Sequence, residues 1–436
     1  MKITHLHIEG LFGTFSYDFS IPPAGTPFLI TGLNGYGKTT TLDIISHLAS
    51  RDLYYFFLLP FSLIEVTFET GEKLRITSTP ETELAKDEDA AGRGPAIVKF
   101  FLLHDGSSEV MLTLREKDIL EKVQRWGMYR GMIYTNLPPT RSKGFHMRLL
   151  QEPALYSQIL GRKGKGKSNQ LDIMLADLHV CFIPEQRRWV DKVEKDPNGQ
   201  QWVKRVPAVT EISSTLSSIL QEANNEYLRS AHEKDADIFT NLLSDKKSYT
   251  EEEYNAKISD AKAKQDELAH FSLTAGKVQL YPYMADKAKV LTVYIDSVLE
   301  KMKAYEQTIR KLRLFDTLLH GLQLVNKSLS YSPKSGLLIK ASTGEYLAPD
   351  VLSSGEQNQL IMLFTMIFTI PDGSLLLIDE PETSLHVVWQ HNFLDNIEKI
   401  AEAKGLQVII ATHSPQIIGQ RWEACYDLCE ASAQTN

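Results

Sequence analysis

One stretch of eight residues, Gly32-Leu33-Asn34-Gly35-Tyr36-Gly37-Lys38-Thr39, constrains this chain more than any other. It satisfies G-x-x-x-x-G-K-[ST] at every fixed position. The preceding Phe28-Leu29-Ile30-Thr31 reads as a buried strand, and Leu42, Ile45 and Leu48 recur at helical spacing after it. Strand, glycine-rich loop and helix form the context a phosphate-binding loop requires. Glycines let backbone N–H groups close around phosphate oxygens, and the helix N-terminus adds positive potential. In that geometry Lys38 reaches the β- and γ-phosphates of a nucleotide, and the Thr39 hydroxyl holds Mg²⁺. The candidate nucleotide-binding set is Asn34, Gly35, Gly37, Lys38, Thr39 and Thr40, with ATP and Mg²⁺ as the expected cofactors.

Charge narrows the partners. Lys and Arg number 47 against 55 Asp and Glu, a net charge of −8, which disfavours a globally basic nucleic-acid binder while leaving local basic patches open. A length of 436 residues allows one large domain with an insertion, or two to three domains. The 3 cysteines, Cys181, Cys425 and Cys429, give neither a disulfide framework nor a four-ligand zinc pattern; they read as small apolar residues of a cytoplasmic protein. His5, His7 and Glu9 interrupt the apolar residues at the start, so no leader is expected. The apolar run Leu53 to Pro60 is too short to span a bilayer, so no membrane association is expected.

In chain order, strands are expected at Ile3–Ile8, Phe12–Phe19, Phe28–Thr31, Phe61–Phe68, Lys73–Thr77, Ile97–Leu103 and Val110–Leu114, with a hairpin turned at Thr70-Gly71. These make residues 1–115 an antiparallel-rich N-terminal lobe around the phosphate loop. Residues 116–210 form a mixed helical and strand connector, with a strand at Val180–Ile183 and a hairpin or loop tip around Asn198-Gly199. Gly161-Arg162-Lys163-Gly164-Lys165-Gly166-Lys167-Ser168 matches the phosphate-loop pattern a second time, but a helical stretch precedes it and four cations crowd into six residues. That composition suits a solvated loop, with contact to nucleic acid or a partner as the alternative.

Residues 211–330 read as a helical insert. Its clearest signal is the seam Leu291, Ile295, Val298, Met302, Tyr305, Ile309 and Leu312, spaced 4-3-4-3-4-3. Continued to Val325, it predicts one helix roughly 50 Å long. An arm that goes out, turns and returns antiparallel is the simplest arrangement, and a compact bundle is the alternative.

Residues 331–436 carry the second half of the chemistry. Leu352-Ser353-Ser354-Gly355-Glu356-Gln357 precedes an apolar helix. Leu375–Ile378 is a buried strand ending in Asp379-Glu380, where Asp379 can orient the Mg²⁺ shell and Glu380 can orient or deprotonate the attacking water. Carboxylates at a strand's C-terminal end face the crevice where α/β sheets bind ligands. The strand Val408–Thr412 ends in His413, which can contact the γ-phosphate and sense its loss. Glu380 and His413 are therefore the candidate catalytic residues.

Together these motifs resemble the ATP-binding-cassette (ABC) ATPases. Gly32–Thr39 are similar to their Walker A, Leu352–Gln357 to their signature (here LSSGEQ), Leu375–Glu380 to Walker B, Ser384-Leu385-His386 to the D-loop and His413 to the switch histidine. Gln186 sits where a Q-loop glutamine would touch nucleotide and Mg²⁺. The resemblance implies an α/β fold: an ABC-type P-loop head, a mixed sheet with helices, assembled from both chain ends, with an inserted antiparallel helical or coiled-coil arm. It implies that Ser353, Ser354, Gly355 and Glu356 of one subunit complete the nucleotide site of another, so a homodimer or larger assembly is expected. The wording LSSGEQ, LLLIDEPETSLH and VIIATHSPQII resembles the bacterial defence ATPases of the overcoming-lysogenisation-defect type. Members with a built-in nuclease carry a Toprim domain after the switch histidine, whereas about 20 residues follow Pro415 here. The resemblance thus leads to an ATPase with a separate nuclease subunit, of the Septu or PARIS kind, leaning to Septu. A DNA-repair ATPase that clamps DNA directly is the alternative.

Overall fold

The computed structural model describes residues 1–79, 97–104, 107–115, 118–119, 121–123, 159, 170–184, 189–195, 201–243, 248–273, 279–320, 327–347, 351–385 and 387–435. In chain order the elements used below are β1 (Ile3–Leu11), β2 (Phe15–Ser20), β3 (Pro27–Thr31), α1 (Lys38–Ala49), β4 (Leu63–Phe68), β5 (Lys73–Thr79), β6 (Ile97–His104), β7 (Ser107–Arg115) and β8 (Val180–Ile183). Then come β9 (Trp189–Lys195), β10 (Gln201–Pro207), α2 (Ala208–Leu243), α3 (Glu251–His270), α4 (Ala288–Met302), α5 (Glu306–His320), β11 (Lys327–Ser332), β12 (Gly336–Ala341) and β13 (Tyr346–Leu347). The last are α6 (Ser354–Phe364), β14 (Leu375–Asp379), α7 (Phe393–Lys404), β15 (Gln407–Ala411), β16 (Cys425–Asp427) and α8 (Leu428–Thr435). Contacts divide the chain into two units, residues 1–185 with 370–436, and residues 186–369.

The first unit is built from two sheets. An antiparallel sheet runs β2-β1-β4-β5-β6-β7. Ile3, Leu6 and Ile8 share its inner face despite the odd gap, because the register with β4 slips between Ile3 and His5. A parallel sheet runs β16-β3-β15-β14-β8, and every residue of β3, β14 and β15 is buried. Burial on both faces explains why those strands read as unbroken apolar runs rather than alternating ones. Leu42, Ile44, Ile45 and Leu48 of α1 share one core with Ile64, Val66 and Phe100 of the first sheet and Leu375, Leu377 and Ile409 of the second. Gln407, 1% exposed, links the sheets: its Oε1 accepts from Ile3 N (3.2 Å), and its Nε2 donates to the carbonyls of Ile3 (2.7 Å) and Pro22 (3.0 Å). A buried amide with both ends engaged avoids the desolvation cost that would otherwise exclude it.

The second unit opens with the hairpin β9–β10, paired from Lys195↔Gln201 to Trp189↔Pro207. The predicted seam is real: all seven of its residues, Leu291 through Leu312, are buried. The single long helix is not, because a 3-10 turn at Lys303–Tyr305 separates α4 from α5. The tighter turn seats Tyr305 against α2, where it stacks on Tyr227 at 5.0 Å and donates to Asn224 Oδ1 at 2.8 Å. Nor is the path a simple out and back. Lys301 reaches Asp235 (2.5 Å) and Tyr305 reaches Asn224, so α4–α5 runs antiparallel to α2. Lys257 reaches Asp296 (3.1 Å) and Arg313 reaches Glu267 (2.7 Å), so α3 runs parallel to α4–α5. The chain between α3 and α4 must therefore travel outward again, and Tyr254 and Tyr294 hold it through the carbonyls of Tyr281 (3.1 Å) and Gln279 (2.7 Å). Residues 331–369, expected in a C-terminal lobe, group with these helices. Ser217 Oγ donates to Pro333 O (2.7 Å), Ser213 Oγ to Leu337 O (3.2 Å), and Phe315 meets Phe364 and Phe368 edge-on at 5.9 and 5.3 Å.

Gly336 marks the tightest approach in this unit. Its φ is +71°, and a Cβ there would lie 1.7 Å from the carbonyl oxygen of Ser213 on α2. Gly336→Ala is expected to destabilise this unit by about 2–4 kcal/mol, combining backbone strain with overpacking. Urea unfolding followed by far-ultraviolet dichroism measures it, with Gly344→Ala as the control, because no atom lies within 3.8 Å of a Cβ at that position.

Candidate nucleotide-binding and hydrolysis site

Strand order assembles the site. β3, β15 and β14 are neighbours, with Ile30 opposite Ala411 and Ala411 opposite Asp379. Their C-terminal ends deliver the phosphate loop, Thr412-His413 and Asp379-Glu380 to one edge. Thr412 N donates to Ile30 O (3.1 Å) and Glu380 N to Ala411 O (2.9 Å), extending the ladder one residue past each strand.

Gly37 caps α1 at φ +85°, and a Cβ on it would stand 3.1 Å from Leu11 Cδ2. Glycine is needed there both for the backbone and for the approach of β1. The loop is braced from two sides that its own sequence does not reveal. The Tyr17 hydroxyl donates to the Tyr36 carbonyl (2.6 Å), and Leu33 N donates to Cys429 Sγ (3.2 Å). Asn34 and Gly35 are exposed at the loop crest, and Thr40 is half-buried on α1.

Lys38 is 5% exposed; its Nζ donates to Gly32 O (2.9 Å) and lies 3.4 Å from Glu380 Oε1. Thr39 Oγ1 donates to Asp379 Oδ2 (2.9 Å). A hydroxyl beside a carboxylate is the oxygen pair that Mg²⁺ prefers, so Thr39 and Asp379 fit that ion. Bound there, Mg²⁺ would offset charge on the phosphate oxygens.

Glu380 sits between Lys38 and His413. Its Oε1 faces Lys38, and its Oε2 lies 2.5 Å from His413 Nδ1. Its backbone is left-handed (φ 42°, ψ 59°) immediately before Pro381, a conformation a bulky residue in that position rarely takes. Strain of this kind persists where the surroundings over-determine it, as at reacting groups. Burial pushes the Glu380 carboxyl above the usual carboxylate range; Glu382, by hydrogen bond and charge, pushes the same way, and Lys38 and His413 partly offset both. A carboxylate with raised affinity for protons is a better base for water.

The signature residues lie in the other unit. Ser353 caps α6 by a capping box, its Oγ accepting from Glu356 N (3.3 Å) and its N donating to Glu356 Oε2 (2.7 Å). Ser354 and Gly355 open the helix, and a Cβ on Gly355 would meet no atom within 4 Å. Glu356 is engaged by the cap and by Lys327, whose Nζ lies 3.0 and 3.1 Å from its two carboxylate oxygens. Burial, opposed and outweighed by those hydrogen bonds, leaves its carboxyl below the usual range. Gln186, the basic loop at 161–168 and His386 lie outside the described residues. Sequence reasoning missed Glu382, Tyr17, Cys429 and Lys327. Only Glu382 carried a signal, as a second glutamate in Asp379-Glu380-Pro381-Glu382.

Residues 201–419, half of the chain, match the family described as AAA domain, putative AbiEii toxin, type IV TA system. A stretch of 74 residues is 32% identical to protein ea59 of Escherichia phage lambda, spanning 17% of this chain and 14% of that protein. Among solved structures, the SMC head domain from Thermotoga maritima aligns over 98% of this chain and 94% of its own, at 13% identity and a TM-score of 0.35. The Pyrococcus furiosus Smc head domain with an extended coiled coil, bound to the C-terminal domain of ScpA, aligns over 95% and 90%, at 15% identity and a TM-score of 0.33. Among the described residues no helix is long and apolar enough to cross a membrane.

Proposed function

Because the chain belongs to the family of AAA domains described as putative AbiEii toxins of type IV TA systems, a P-loop ATPase family, we propose that it is the ATP-binding and hydrolysing subunit of a two-component anti-phage defence system. In this reading it scaffolds a separate nuclease, of the Septu or PARIS kind, and controls it through head dimers that sandwich ATP. The observation that carries the reading is the convergence on one sheet edge of Lys38, Thr39, Asp379, Glu380 and His413, with Lys38 against Glu380 (3.4 Å), Thr39 against Asp379 (2.9 Å) and Glu380 against His413 (2.5 Å). In this reading Lys38 binds phosphate, Thr39 and Asp379 hold the metal, Glu380 activates water and His413 makes a contact that changes when the γ-phosphate leaves. Ser353, Ser354 and Gly355 at the N-terminus of α6 offer the complementary anion site that a second subunit requires. The match to a family named for toxin–antitoxin systems, and the stretch shared with a phage protein, support a role in phage conflict.

The test is affinity purification of the tagged protein from its native operon, with mass spectrometry and native mass. A co-purifying nuclease in a complex above dimer size is the expected result. A lone ATP-dependent dimer that binds duplex DNA in a salt-dependent way would replace this reading with direct DNA clamping.

A further inference from the structure

The turn after β14 and the turn after β15 are bound together by a buried polar web, and Glu382 is its centre. The Glu382 side chain is 8% exposed. Its Oε1 accepts from Thr412 Oγ1 (2.7 Å) and from the backbone N of His413 (3.0 Å) and lies 3.3 Å from His413 Nδ1. Thr412 Oγ1 in turn accepts from Ser414 N (3.0 Å). Ser414 Oγ donates to Gln390 Oε1 (3.0 Å), and Gln390 Nε2 donates to the carbonyls of Leu385 (3.1 Å) and Glu382 (3.4 Å). The web closes on itself with Thr412, Ser414 and Gln390 all buried, while the His413 side chain stays 56% exposed beside Glu380.

We propose that Glu382 is a positioning residue for ATP hydrolysis: by accepting from the backbone N–H of His413 and the hydroxyl of Thr412, it fixes the turn that presents the His413 ring to Glu380. The proposal rests on the ATP-hydrolysing reading of the site. Its physical basis is that an exposed imidazole on a turn has wide conformational freedom, whereas an amide bonded to a buried carboxylate does not. Such charge-assisted bonds are the short, strong ones. Among the described residues the second carboxylate oxygen, Glu382 Oε2, is buried and has no N–H donor, while the Glu382 carboxyl interacts with that of Glu380 by hydrogen bond and charge. Burying this carboxylate is costly unless it is hydrogen-bonded, and the two bonds accepted by Oε1 offset that cost.

The test compares Glu382→Ala, Glu382→Gln and Thr412→Val with wild type in the full chain. Glutamine keeps an oxygen that can accept both bonds, alanine keeps neither, and Thr412→Val removes one of the two bonds to Glu382, together with the bond from Ser414 N, without changing Glu382 itself. The expected result is a fall in kcat of about 10–100-fold for Glu382→Ala, as for a reacting group displaced by about 1 Å. ATP affinity, read with a fluorescent nucleotide, should change less than about threefold because Lys38 and Thr39 are untouched. Glu382→Gln should recover most of the rate, and Thr412→Val should fall between. In parallel, hydrogen exchange followed by mass spectrometry should show faster exchange in the peptide containing 412–414 for Glu382→Ala, recovered in Glu382→Gln. Wild-type kcat in Glu382→Ala, or equal slowing by Gln and Ala with the 412–414 amides still protected, would overturn the proposal. A wild-type protein that turns over no ATP would instead remove the hydrolysing reading, and the exchange arm would still decide whether Glu382 pins the turn.

Discussion

Glu380→Gln should hold ATP and fail to turn it over. The substitution keeps shape and length, so the contact with Lys38 Nζ at 3.4 Å and that with His413 at 2.5 Å keep an oxygen or nitrogen partner. What it removes is the ability to accept a proton. Loss of a general base costs about 10²–10⁴-fold, so phosphate release should fall by that factor while nucleotide stays bound. The pH profile checks the same claim from another side. Because Glu380 is raised above the usual carboxylate range, it takes up a proton as pH falls while ordinary glutamates are still ionised. The base form is then lost, so wild-type kcat should decline on the acid side at a pH above about 4.3, the ordinary glutamate value. That limb should be missing in the residual activity of Glu380→Gln. Steady-state phosphate release measures both, and native mass of the ATP-loaded variant reports whether it accumulates as a closed dimer. Phosphate release by the variant equal to wild type would remove Glu380 from the chemistry.

Lys38→Ala should abolish nucleotide binding rather than slow a bound complex. Lys38 is 5% exposed and spends its ammonium on the Gly32 carbonyl and on Glu380. Truncating one partner of a buried, hydrogen-bonded charge pair costs about 2–5 kcal/mol, which is roughly 30-fold to several thousand-fold in affinity for a polyphosphate. The variant also leaves Glu380 with one cation fewer, so its carboxyl rises further. Titration with a fluorescent ATP analogue gives the affinity, and a phage plaque assay reads the proposed defence role. Full phage protection by a protein that binds no nucleotide would separate protection from ATP. Lys38→Ala and Glu380→Gln together distinguish a switch run by binding from one run by hydrolysis. Only the first should lose protection if binding suffices.

Much of this site could be read from local sequence. The phosphate loop, the Asp379-Glu380 pair and His413 each declare themselves through adjacent residues, because a glycine-rich turn or a strand-end carboxylate is a local device. The parallel strands β3, β14 and β15 were equally plain, since burial on both faces leaves continuous apolar runs. The heptad seam was correct in every buried residue and wrong in the single helix drawn through it. Periodicity records which side chains face inward, but not the 3-10 turn that seats Tyr305 against Tyr227 and Asn224.

What the chain's order of residues determined by itself is the set of groups available: the amides of a glycine-rich loop, one lysine, one hydroxyl, two carboxylates and an imidazole. Tertiary structure alone decided how they are held. Tyr17 braces Tyr36, Cys429 meets Leu33 from nearly four hundred residues away, α3 doubles back beside α4–α5, and Glu382 binds the turn that carries His413. Each of these is a contact between segments remote in sequence. Its existence depends on how the elements pack, and no spacing of residues along the chain encodes it.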